Sequence, residues 1–274
     1  MIGFSSYTGL DFLLFYSALL AATIFAGFWI PANLRPEGRE GSVENATELA
    51  VLAGGPVRLA DSVLAGLYAR GLLRIETKRL VSAGGVPESM QPGPEYALLR
   101  DLTPMKWGEA RERVDLHAEP IDECLVIAGL LMGRRERMKF RLLPLAPYAT
   151  LLLIGAYRWM MGNHLGEPVG FLSMLMVLAL VGAIIRFAKF NPRTEAGDDA
   201  LARAQERHAR LKSAPKQSEV GLGVGLFGMG VLAGTPYAPL HDLRQQSVDA
   251  GSGAGDGGCG GGGCGGGGCG GCGG

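Results

Sequence analysis

Apolar residues are gathered into three long runs separated by mixed or polar chain. The first, LDFLLFYSALLAATIFAGFWIP, spans residues 10–31, and its only charge is Asp11 at the edge. About 20 apolar residues in a helix cross the roughly 30 Å of bilayer hydrocarbon, so a transmembrane helix is predicted. A cleaved signal peptide needs a basic start and a short apolar core. Residues 1–9 hold no Lys or Arg and the apolar run is long, so a retained anchor is expected. Phe28 and Trp29 close the run at the depth where aromatic rings prefer to lie. The second run covers residues 142–161, with Pro144 and Pro147 in its first turns, where missing backbone donors matter least. Arg158 stands near its far end and is expected to run its charged head out to the interface. The third run covers residues 169–188. The intervening GNHLGEP, residues 162–168, is a turn, which makes the second and third runs a helical hairpin.

The chain between the first two runs, residues 32–141, alternates in shorter periods. Asn45 with Glu48 three positions on is a capping-box pattern, and Gly54 and Gly55 end the helix it opens. Pro56 suits the start of the next helix. Leu59, Val63, Leu64 and Leu67 recur there at helical spacing, and Gly71 stops it. LLRIET and KRLVSA read as strands around a turn near Thr77. Helix, helix and hairpin is the order of a small winged-helix-like unit. The outer face of its second helix presents Arg58, Asp61, Ser62, Ala65, Ala69 and Arg70. A Pro- and Gly-rich loop follows, then helical stretches, the first with Thr103 as cap and Pro104 in the first turn. Beyond the third run, residues 189–250 open with a helix capped by Thr194. They then pass through an apolar, glycine-rich stretch at 220–233. That stretch is too short for a span; docking on the membrane and packing on the soluble unit both fit it. The fold class is therefore a mainly α membrane protein. It has three transmembrane helices, a small cytoplasmic α+β (winged-helix-like) unit and a disordered tail at 251–274.

Charge orients this arrangement. The whole chain balances 26 basic against 26 acidic residues, and residues 31–141 balance sixteen against sixteen. Eight more basic residues follow Phe187, the run RRERMKFR abuts the second span, and residues 162–168 hold none. The positive-inside rule puts both large segments in the cytoplasm and the N-terminus outside, in a multi-pass protein of the cell (inner) membrane. The balanced charge and the poorly basic helix face leave no footprint for nucleic acid. The expected partners are the lipid bilayer and a protein at the cytoplasmic domain.

Chemistry-bearing residues are sparse. Asp115, His117, Glu119, Asp122 and Glu123 include metal-ligand types, but with one His and no HExxH spacing they read as a solvated helix face. Cys124, flanked by Leu125, Val126 and Ile127, is expected to pack as a small hydrophobe. No GxSxG, Walker loop or paired CxxC occurs before the tail. No enzyme, catalytic residue or cofactor is expected. Three short spans without paired intramembrane charges also make a poor transport pathway. In the tail, seventeen of the 24 residues from 251 onward are glycine, too little apolar surface to offset the entropy of ordering. Cys259, Cys264, Cys269 and Cys272 follow CxxxxCxxxxCxxC and are the only candidate metal ligands, for Zn²⁺ or Cu(I). A thiol or metal appendage, a precursor-like segment that is modified or cleaved, and an inert low-complexity end all remain open.

Several stretches together resemble a known family. ELAVLAGGPVRLADSVLAGLYARGLL, GEPVGFL and NPRTEAGDDALARAQERHARL, with the R-T-x-x-G pattern of Arg193, Thr194 and Gly197, are similar to an uncharacterised family of bacterial membrane proteins. That family carries its domain ahead of a Gly/Cys-rich C-terminus. The resemblance covers about residues 8–240 and implies membrane location; it brings no catalytic residues. The expected function is that of a membrane-anchored, non-enzymatic protein with a cytoplasmic interaction module and a flexible tail.

If the tail thiols are free, Cys259, Cys264, Cys269 and Cys272 are expected to alkylate rapidly without denaturant, as thiols of pKa ~8.5 do. A shared four-thiolate metal would instead slow all four together until a chelator is added. Mass spectrometry of the alkylated chain separates the two.

Overall fold

The computed structural model describes residues 9–251 except 85, 88, 89, 91, 101, 102, 166–169, 189 and 214. In chain order the elements are α1 (Gly9–Asn33), α2 (Ala46–Ala69), β1 (Leu73–Glu76), β2 (Arg79–Ser82), α3 (Pro94–Leu99), α4 (Trp107–Asp115), α5 (Ala118–Ile127) and α6 (Arg134–Leu142). A 3-10 turn at Leu143–Leu145 leads into α7 (Ala146–Leu165), followed by α8 (Gly170–Ala188), α9 (Glu195–Arg207), α10 (Val220–Phe227) and α11 (Ala238–Gly251). The architecture is mainly helical with one antiparallel two-stranded sheet. Two separate apolar cores form, one in a helical bundle and one in a soluble unit.

The bundle consists of α1, α7 and α8. Phe12, Tyr16 and Leu20 of α1 pack on Leu151 of α7 and on Leu172 and Ala179 of α8. The Tyr16 hydroxyl donates to the Leu151 carbonyl at 3.2 Å. It lies so close over α7 that a Cβ at Gly155 would sit 2.6 Å from its oxygen. Tyr148 is similarly seated between Gly27 and Gly182. Small residues at such crossings let apolar helices approach without a hydrophobic driving force between them. On the outer faces, Phe25, Phe28, Leu153, Phe171, Met174 and Ile184 are exposed. An apolar belt of this extent is unsuited to water and suited to lipid.

Four helices are long and apolar enough to cross a membrane: 11–30, α2, the run 134–163 through α6 and α7, and α8. Two details depart from expectation. Helix α7 continues to Leu165, so residues 162–165 are helical rather than part of the turn; the first strong breakers come at Gly166 and Pro168. Arg158 does not run outward. It is 7% exposed, with its guanidinium 5.5 Å from the Phe12 ring centroid, because α1 presents an aromatic face to it.

The soluble unit is built on α2. Asn45 caps that helix, its side chain accepting the Thr47 backbone N–H at 3.2 Å. The helix breaks at Gly54 and Gly55; Gly55 has φ +66°, a left-handed conformation that favours glycine, and Pro56 restarts it. The hairpin follows, with Glu76 opposite Arg79 and a tight turn at Thr77 and Lys78, both at positive φ. The expected cap at Thr103 is not used. Met105 instead pairs its backbone with Leu80 at 2.8 and 2.9 Å, which holds the chain extended, and α4 starts at Trp107 with Glu109 accepting the Lys106 N–H.

The second half of α2 corrects the sequence reading. Asp61, Ser62, Ala65 and Ala69, assigned to its outer face, are buried, Ser62 against α10 and Asp61 against Arg244 of α11. The Ser62 hydroxyl donates to the Gly221 carbonyl at 2.7 Å. A Cβ at Gly221 would lie 3.1 Å from the Ser62 carbonyl oxygen and 3.3 Å from the Gly66 Cα. The glycine-rich stretch at 220–233 thus packs on the soluble unit, and small residues on both helices let the backbones meet. Leu59, Leu64, Val114, Leu125, Leu201 and Val224 belong to one core, so the segments before and after the hairpin of apolar helices fold together. Gly221→Leu is expected to destabilise this unit by about 1–3 kcal/mol through overpacking. An unchanged denaturation midpoint would mean that α10 is not seated on α2.

Candidate functional site

Three segments leave the same end of the bundle: 34–41 after α1, 129–133 ahead of α6, and 190–197 after α8. They join into a backbone-bonded collar. The Glu195 N–H donates to the Pro36 carbonyl at 3.0 Å and the Ala196 N–H to the Glu37 carbonyl at 2.9 Å. The Arg39 N–H donates to Gly129 at 3.3 Å, the Thr194 N–H to Leu130 at 3.1 Å and the Met132 N–H to Pro192 at 3.0 Å. Leu131 and Arg193 form an antiparallel bridge. Close approach makes this possible: a Cβ at Gly197 would stand 2.1 Å from the Leu130 carbonyl oxygen.

Side chains lock the collar to the soluble unit. The Thr194 side chain accepts the Gly197 N–H at 3.1 Å, capping α9 as expected, and its hydroxyl donates toward the Gly129 and Leu130 carbonyls. Asp198 receives Arg193 Nε at 2.9 Å and also pairs with Arg35. Asn191 accepts from Arg193 at 3.0 Å and orients it. Arg193 Nη1 reaches the Leu52 carbonyl at 3.4 Å, just ahead of the break in α2 where helical partners run out. Burial pulls the Arg193 pKa down and the Asp198 charge opposes it; an arginine remains protonated in either case.

A second charged cluster lies deeper. Asp61 is 2% exposed and receives Arg244 Nε from α11 at 2.8 Å. Burial raises the Asp61 pKa above the usual carboxylate range, opposed by the charge and hydrogen bond of Arg244 and by Arg58 and Arg111.

The acidic cluster noted in the sequence is dispersed into ion pairs. Asp115 faces Arg111 at 3.6 Å, Asp122 binds Arg137 at 2.9 Å, Glu119 faces Arg134 at 3.8 Å, and His117 Nδ1 lies 3.2 Å from the Arg113 carbonyl oxygen. Among the described residues no group of three or more His, Cys, Asp or Glu is placed to hold a metal ion. Cys124 is exposed, contrary to expectation, because α5 turns the adjacent Leu125 into the core instead. Cys259, Cys264, Cys269 and Cys272 lie outside the described residues. The sequence singled out Arg193, Thr194 and Gly197 but not their partners Arg35, Asn191 and Asp198; the N-x-R-T-x-x-G-D spacing was the available signal. No protein family, curated protein or solved structure matches the chain.

In this arrangement guanidiniums, one hydroxyl and carboxylates hold one another across the collar and α11. Arg244→Ala leaves the Asp61 carboxylate buried without its main partner, at an expected cost of about 3–5 kcal/mol near neutral pH. The raised pKa means that the folded state binds more protons than the unfolded one above about pH 3.9, so this group's contribution falls as pH rises through its folded pKa. The variant is expected to extend that fall to higher pH. Unfolding curves at pH 4 and pH 7 check it; equal losses at both would sink the role assigned to Asp61.

Proposed function

We propose that the protein is a multi-pass protein of the cell (inner) membrane, in which α1, α7 with the Leu143–Leu145 turn ahead of it, and α8 are the spans and α2 is not. Its N-terminal end lies outside and its soluble unit in the cytoplasm. The observation that carries the reading is the collar: the C-terminal end of α1, the chain entering α6 and the chain leaving α8 meet at one end of the bundle. Three helices running out-to-in, in-to-out and out-to-in require that meeting. Helix α2 is unsuited to a span. Its longer unbroken half, residues 56–69, is about 21 Å long, and the helix buries Asp61 among soluble neighbours. The collar end is also the basic end, with Arg35, Arg39, Arg193 and the 134–141 run, which the positive-inside rule assigns to the cytoplasm.

In this reading the bundle is an anchor and the soluble unit a non-enzymatic interaction module, from which α11 leads into the Gly/Cys-rich tail. The family resemblance of the sequence implies the same location. The ion pairs described above join charged groups of the fold to one another.

Cys124 supplies a native test, since it is exposed on the soluble unit. In a chain with the four tail cysteines changed to Ser, Cys124 is expected to resist a membrane-impermeant maleimide in intact cells and to react once the membrane is opened. Asn163→Cys, at the opposite end of α7, is expected to react from outside. Labelling of Cys124 in intact cells would overturn the orientation, and extraction of the chain by alkaline carbonate would overturn the membrane reading itself.

A further inference from the structure

A cavity of ≈ 80 Å³ opens where the collar meets the bundle. Its charged lining is Arg35 from the α1 exit, Arg141 at the end of α6 and Arg186 in the last turn of α8; Phe140, Phe190 and Asn191 complete much of the wall. Among the described residues, no carboxylate lines it. A water needs only about 10–15 Å³ of such volume, so the cavity has room for several waters or for a tetrahedral oxyanion.

The three guanidiniums are unequally occupied. Arg35 is drawn toward Asp198, which Arg193 also holds, so that carboxylate is already shared between two cations. Arg141 stacks over the Phe187 ring at 3.9 Å and has no acidic partner among the described residues. Arg186 has its Nε buried with no hydrogen-bond partner among the described residues. A buried guanidinium donor left unmade is costly, and Arg186 is part of the lining of this mixed polar and apolar cavity. Phe187, Ile184 and Ile185 are exposed on α8 just beside it. A ligand held here therefore meets cations at one end and a lipid-facing apolar surface at the other.

The geometry points to a site for the phosphate of an anionic phospholipid headgroup, held by Arg141 and Arg186 with Asn191 and Arg35 at its rim, and with acyl chains lying along α8. Basic recesses between membrane helices on the cytoplasmic side recognise headgroups in this way. Arginine suits phosphate because its planar fork bonds two oxygens at once. The site rests on the membrane reading above and adds a ligand to it.

The test uses the full chain purified in detergent. Native mass spectrometry is expected to show one phosphatidylglycerol retained in preference to phosphatidylcholine. In the Arg141→Gln, Arg186→Gln double variant that preference is expected to fall about tenfold, with the melting temperature in phosphatidylcholine nanodiscs unchanged. Should the variant fail to fold, the lipid preference of the unaltered chain decides alone: equal retention of both lipids overturns the site. Inorganic phosphate at millimolar concentration is the competing probe. If it protects the chain against thermal unfolding as strongly as phosphatidylglycerol does, and displaces it, the site is one for free phosphate and the lipid assignment is wrong. A chain that resists carbonate extraction yet shows no lipid preference fails this inference alone. A chain extracted by carbonate fails the membrane reading first.

Discussion

Everything else in this molecule depends on how three chain segments satisfy their backbones at the end of an apolar bundle. Inside the bundle each helix answers its own N–H and carbonyl groups. At the helix ends that supply stops, and the first and last turns carry unpaired groups. Here the segments answer one another: Glu195 and Ala196 donate to the chain leaving α1, and Thr194 and Met132 exchange bonds across the other two segments. Each such bond contributes only about 0.5–1.5 kcal/mol net. Together they remove the freedom of three linkers, so the soluble unit cannot swing independently of the bundle without breaking several at once.

The soluble unit uses a different device for the same problem of joining distant chain. Helix α2 is long and apolar enough to cross a membrane, as α1, the α6–α7 run and α8 are, yet it lies in the soluble unit packed against α10. Glycine and small residues bring the two backbones together, and the Ser62 hydroxyl supplies a partner to the Gly221 carbonyl. Beside this contact sits Asp61, whose desolvation is offset by Arg244. A buried ion pair of this kind adds little stability over an apolar pair, but it penalises wrong arrangements heavily. It therefore selects one docking position for α11 rather than strengthening the core.

The sequence was most informative where the controlling physics is local. Apolar runs made α1, α7 and α8 legible as helices; Asn45, Thr194, Gly71 and the Thr77 turn were legible because a cap or turn is decided within a few residues. It was least informative where two distant segments meet. An amphipathic pattern states that a face is covered but not by what, so the face of Asp61 and Ala65 was read as open while its cover lay some 160 positions later. Cys124 and Leu125 are neighbours in one apolar run, and only the rotation of α5 decides which is buried. The inward turn of Arg158 depends on Phe12 in another helix. The collar was half visible: Thr194 and Gly197 form a local cap, whereas Arg35 and Gly129 are set by the meeting of three strands of chain.

The charges also form a continuous series through the molecule. Arg35 lines the cavity at the bundle end and pairs with Asp198; Asp198 holds Arg193; and Arg193 reaches the Leu52 carbonyl beside the break in α2. Beyond that break Arg58 lies against Gly228, and Asp61 takes Arg244 from α11. Contiguity of this kind is not evidence that a signal travels along it, which would require an element with two arrangements. What it does establish is orientation. The break in α2 is tied to the collar and α11 is tied to α2, so the helix that precedes the Gly/Cys-rich tail is held at a defined place relative to the bundle.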